Sequence, residues 1–174
     1  GDFDPHVWLD PENAKIEMEA IRDALCAADP ENSTVFQSNY EKYAAELDAL
    51  DAEFREKLAP LPNRTIVVAH EAFGYLCDAY GLTQVGIEGL SPDSEPDPGR
   101  MAEVIDFVRE HSISTIFFEE LVSPKVAEAI ASETGAQAKM LSPLEGLSDE
   151  QAAAGADYFS VMHDNLAALM EALN

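Results

Sequence analysis

From residue 63 onward the sequence alternates four short apolar runs with helical stretches, and no other feature constrains the fold as much. The runs are 65–69 (TIVVA), 84–87 (QVGI), 115–118 (TIFF) and 138–141 (AKML). Short, largely apolar runs of this kind read as strands covered on both faces. Helices are expected between them at 72–80, 98–111 and 123–134, with Gly81 and Gly135 as C-terminal stops. Strand and helix in alternation imply a parallel sheet with right-handed crossovers. A closing helix over 150–173 places Phe159, Met162, Leu166, Leu169 and Leu173 on one face.

Two longer helices precede this region. Asp10-Pro11-Glu12 is a start signal: an N-cap carboxylate, a proline pre-set for the first turn and an acidic residue at the positive end of the dipole. The helix runs over 11–28 and stops at Asp29-Pro30, because proline disfavours helical geometry in the residue before it. A second helix over 33–59 sets Phe36, Tyr40, Tyr43, Leu47, Leu50, Phe54 and Leu58 at steps of three or four, one apolar stripe about 40 Å long. The expected fold is therefore α/β: a long helical arm over 1–62, then a four-stranded parallel sheet flanked by helices over 63–174. The segment 91–98 (SPDSEPDP) is too rich in proline for regular structure and reads as an acidic surface loop.

Composition narrows function. Ten Lys plus Arg stand against 34 Asp plus Glu, a net charge of −24, which repels the phosphates of nucleic acid and anionic membrane and attracts cations. With 47% hydrophobic residues the chain can bury a core and is not disordered. No apolar stretch approaches the roughly 18 residues of a membrane span. The chain opens Gly1-Asp2-Phe3, with no Met and no export leader, and is expected to be a processed product or a fragment. Cys26 and Cys77 lack CxxC spacing and read as small hydrophobes.

In open α/β sheets ligands bind beyond the carboxyl ends of the strands. His70 follows the first strand, Glu119 follows the third and Glu145 lies just beyond the fourth, so three groups able to ligate metal or move protons converge on one edge. His6 sits on a turn entering the first helix, between Pro5 and Trp8. Two imidazoles and a carboxylate suit Zn²⁺, or Mn²⁺ as oxygen ligands become more numerous. On spacing alone the signal is weak, since a histidine at such a position is more often an ordinary loop residue than a ligand. His111 closes a helix, where a cation favours the dipole, and His163 falls on a solvated face. Glu71 and Glu120 adjoin candidate ligands but point away on an extended chain, and have no assigned role. The phosphate-loop, serine-elbow and HExxH motifs are all missing from the sequence.

Four motifs then carry a resemblance. DPHVWLDPENA from Asp4 to Ala14, HEAFGYL from His70 to Leu76, GLSP from Gly89 through to Glu95-Pro96, and LSPLE from Leu141 to Glu145 are similar, in order and spacing, to the zinc and manganese solute-binding proteins of bacterial ABC importers. The likeness covers nearly the whole chain and is nearest to the zinc-binding lipoproteins of Gram-positive bacteria. It implies two α/β lobes joined by a long rigid helix with the metal between them. By motif, the ligands would be His6, His70 and Glu145, with a fourth His in an N-terminal lobe expected to lie outside this chain. Glu119 would stand close behind the site and orient a ligand imidazole. Manganese-type relatives commonly carry Glu at the His70 position, so zinc is expected ahead of manganese. The implied role is capture of Zn²⁺ outside the membrane and delivery to an ABC permease. The protein would be held at the bacterial cell surface by a lipid anchor outside this chain, and a chain without the first lobe would be prone to self-association. Two other readings remain: a zinc hydrolase with an open coordination position and Glu119 or Glu71 as general base, and a metal-stabilised surface adhesion module.

Overall fold

The computed structural model describes residues 3–89, 98–119 and 123–174. The proline-rich segment 91–97, the GLSP motif beyond Gly89 and Glu120 lie outside the described residues. Two antiparallel helices open the fold, α1 (Pro11–Ala28) and α2 (Ser33–Leu58), joined through a 3₁₀ turn at Pro30–Asn32. The Asp10 carboxylate accepts the Glu12 N–H at 3.0 Å and Pro11 takes the first helical position, as the start signal requires.

The alternating region forms β1 (Thr65–Val68), α3 (Gly74–Tyr80), β2 (Thr83–Gly86), α4 (Pro98–Glu110), β3 (Thr115–Phe118), α5 (Lys125–Thr134), β4 (Gln137–Met140), α6 (Asp149–Ala153) and α7 (Tyr158–Leu173). All three strand pairings are parallel and the order is β2-β1-β3-β4. Alternation along β1 divides the core, since successive side chains leave opposite faces of a strand. Ile66 and Val68 join Leu50, Phe54 and Leu58 of α2, Leu76 of α3, and Met162, Leu166 and Leu169 of α7. Val67 and Ile116 face the other way, onto Val104 and Val108 of α4 and Ile130 of α5.

Two expectations need correcting. The closing helix is broken: α6 ends at Ala153, Gly155 takes a left-handed φ of 76°, and Asp157 starts α7 through a reciprocal cap with Ser160. The apolar stripe of α2 also divides. Leu47, Leu50, Phe54 and Leu58 are buried, whereas Phe36 and Tyr40 are half-buried and Tyr43 is exposed, its ring stacked on Phe159 of α7 at 6.2 Å between centroids. Along α1, Ile16, Ile21 and Leu25 are exposed, the last two beside Phe36 and Tyr40 of α2.

The strand order fixes where chemistry can occur. β1 is followed in sequence by β2 on one side and then by β3 on the other, so the connections leave in opposite directions from the β1/β3 junction. A crevice opens there at the carboxyl ends of the strands. His70 and Glu119 leave from those two adjacent strands.

Candidate metal centre

His6 is held before it meets any ligand. The Asp4 carboxylate accepts both the His6 backbone N–H at 2.9 Å and the ring Nδ1–H at 2.7 Å. A carboxylate at Nδ1 keeps the proton there and leaves Nε2 as a lone-pair donor. The Trp8 ring packs edge-on at 5.6 Å between centroids, and the His6 side chain is 1% exposed. Gly74 permits this arrangement, since a Cβ at that position would stand 2.8 Å from Asp4 Oδ2.

His70 repeats the pattern from a different element. Its ring, also 1% exposed, gives Nδ1 to Glu119 Oε1, itself 4% exposed, across the β1/β3 crevice. Burial draws the His70 pKa down; the Glu119 hydrogen bond and charge, with Glu145 and Glu88 adding, outweigh it and leave the pKa above its ordinary value. Burial also lifts the Glu88 carboxyl, against the His70 charge that lowers it.

The two Nε2 atoms face each other at 3.5 Å, and Glu145 Oε1 lies 3.0 Å from His6 Nε2. All three ligand atoms fall within 4.8 Å of one another. With both Nδ1 atoms donating to carboxylates, the Nε2 atoms turn lone pairs toward one point beside the Glu145 carboxylate, where a cation, whether a proton or a metal ion, relieves their repulsion. Tetrahedral zinc with bonds of about 2.0–2.1 Å has ligand–ligand edges of about 3.3 Å, close to the two short separations here. The donor set therefore fits zinc. Glu145 is 37% exposed, so the site opens to solvent on its side.

Four of the residues singled out by sequence thus meet, His6, His70 and Glu145 at one point and Glu119 behind His70. Others stand apart. Glu71 is half-buried beside Gly86 and outside the cluster. His111 stacks on Phe107 at 4.1 Å, and its ring nitrogen bonds the Phe107 carbonyl at the helix end. His163 is exposed, 3.4 Å from Glu53. Cys26 and Cys77 are both free thiols; burial pushes Cys77 up to about 12, and half-buried Cys26 donates to the Ser33 carbonyl. Sequence reading missed Asp4. The signal was available, because an Asp two residues before a His on a turn can accept both the backbone and ring N–H of that His.

The fold is that of metal solute-binding proteins, and the clustered donors are of a kind that could hold a metal ion. The chain matches, over residues 1–172, the family described as "ZnuA: Zinc-uptake complex component A periplasmic", and it belongs to that family. It is 43% identical over 167 residues to the zinc-binding protein AdcA of Streptococcus pyogenes, covering 96% of this chain and 32% of that protein. The Zn(II)-bound ZnuA-like domain of Streptococcus pneumoniae AdcA superposes with a TM-score of 0.86 at 42% identity, over 98% of this chain and 64% of that one. The laminin-binding protein Lmb of Streptococcus agalactiae, described as an adhesin with metal-transporting activity, superposes with a TM-score of 0.91 at 37% identity, over 99% of this chain and 65% of that one. The chain spans about a third of the length of AdcA. Among the described residues, no helix is long and apolar enough to cross a membrane.

Proposed function

We propose that this chain is the zinc-holding part of an extracytoplasmic solute-binding protein that captures Zn²⁺ and hands it to the permease of an ABC importer. The observation that carries the reading is the meeting of His6 Nε2, His70 Nε2 and Glu145 Oε1 within 4.8 Å, with carboxylates behind both imidazoles. Zinc is the cargo, so the site has to bind and release it unchanged. His6 and His70 bind as neutral donors, Asp4 and Glu119 orient them, and Glu145 supplies negative charge at the open side. A fourth ligand from an N-terminal lobe would close the tetrahedron and leave no position for an activated water, in keeping with transport rather than hydrolysis. Residues 1–62 then serve as ligand turn and linking helices and 63–174 as the C-terminal lobe. The lipoprotein relatives support a lipid-anchored location at the cell surface.

Calorimetric titration with Zn²⁺ tests this. The wild-type chain should bind one ion, and His6→Ala, His70→Ala and Glu145→Ala should each weaken it. Binding unchanged by His70→Ala overturns the assignment. An additional adhesive role is supported by the laminin-binding relatives; binding to immobilised laminin, with and without zinc, decides it.

A further inference from the structure

We propose that α7 braces the two ligand-bearing segments against each other, with Asn165 as the positioning residue for Glu145. The inference rests on the zinc-site reading above.

The β4 ladder ends where the Leu141 N–H donates to the Phe118 carbonyl at 2.9 Å. Beyond it the chain leaves the sheet, and Glu145 must be aimed by something else. The Asn165 carboxamide takes over. Its Oδ1 accepts the Ser142 N–H at 2.8 Å and its Nδ2 donates to the Ser142 carbonyl at 2.8 Å, so the side chain stands in for a neighbouring peptide unit. Ser142 Oγ in turn accepts the Leu144 N–H at 3.1 Å, closing a turn in which Leu144 takes a φ of 55°. That left-handed conformation is costly for a branched apolar residue and persists only where its surroundings hold it. Glu145 follows directly.

The second arm reaches the His6 turn. Tyr158 donates its hydroxyl to the Trp8 carbonyl at 2.8 Å, and the Trp8 indole N–H donates to the Pro143 carbonyl at 2.9 Å. Tyr158 and Asn165 are seven residues apart and share one stripe of α7. One rigid helix therefore contacts both ligand segments, and Trp8 ties them to each other.

Packing alone does not explain the residue at 165. Asn165 is 2% exposed, among Met162, Leu166 and Leu169 on the core-facing side of α7. A leucine would fill that position without a polar group to satisfy. The carboxamide is accounted for by the loop it holds.

The test compares Asn165→Leu, which removes both bonds, Asn165→Asp, which keeps only the acceptor, and Glu145→Ala, alone and combined with each. Zinc affinity is read by competition with a chromophoric chelator, coordination by the visible spectrum of the Co²⁺ form, and folding by urea midpoint. Asn165→Leu should weaken zinc binding by about 10–100-fold, the usual range for losing support behind a metal ligand. In the Glu145→Ala background it should cause no further loss, and its Co²⁺ spectrum should shift toward that of Glu145→Ala. Asn165→Asp should fall between, and it carries the comparison if the leucine variant does not fold. Unchanged affinity, or an equal loss with and without the Glu145 carboxylate, overturns the brace. A wild-type chain that binds no zinc overturns the site itself, and the brace with it.

Discussion

Replacing Glu119 by Gln removes one charge from the buried crevice and leaves shape and volume nearly unchanged. The amide oxygen can still accept the His70 Nδ1–H, so the imidazole keeps its place and loses the anion that makes it a stronger donor. Losing such support costs about 10–100-fold in metal affinity, or about 1.4–2.7 kcal/mol. A second effect runs the other way. In the wild type burial draws the His70 pKa down, and the Glu119 hydrogen bond and charge, with Glu145 and Glu88, outweigh it; without the Glu119 charge the pKa falls. Protons then compete less for His70 in the variant than in the wild type. The zinc dissociation constants of both proteins, measured between about pH 8 and pH 5 across the histidine range, should therefore differ most at the alkaline end and approach each other as the wild-type imidazole is protonated first. Equal affinities at the alkaline end would refute the idea that Glu119 strengthens His70. A gap that stays constant with pH would refute the protonation argument.

Metal-free protein should also show this linkage as stability. Because folding raises the His70 pKa, its contribution is fully present below the unfolded value of about 6.5 and is lost as pH rises through the folded value, which urea midpoints can follow. Gly74→Ala should push Asp4 off His6 and weaken zinc binding severalfold with little change in helix content, since the new Cβ would stand 2.8 Å from Asp4 Oδ2; titration and circular dichroism separate the two. Phe54→Ala, at a fully buried junction of α2 with the sheet, should destabilise the fold by about 3–5 kcal/mol in denaturant melts. Thiol labelling of the folded chain should modify Cys26 and spare Cys77, whose pKa is pushed up to about 12, and unfolding should expose both.

Most of the fold was legible because its signals are local. Asp10-Pro11 starts α1, Gly81 and Gly135 end α3 and α5 with φ of 64° and 80°, and the four apolar runs become strands within one residue of their expected bounds. The break before α7 was missed, because Gly155 interrupts a stretch whose apolar spacing still reads as continuous. The division of the α2 stripe was invisible for a different reason: the spacing of Phe36, Tyr40 and Tyr43 matches that of Leu50 and Phe54, and only the sheet's position decides which are covered. At the site, strand-end placement pointed to His70, Glu119 and Glu145, and motif resemblance added His6 from its turn before α1. Asp4 and Asn165 escaped notice because their roles depend on hydrogen-bond geometry to the backbone, and residue type alone does not reveal that.

The most direct test of the account is an anomalous difference map at the zinc absorption edge, from crystals of this chain grown with Zn²⁺. The account predicts a peak within about 2.0–2.2 Å of His6 Nε2, His70 Nε2 and a Glu145 carboxylate oxygen. A peak that excludes either histidine, or no peak between them, would contradict it.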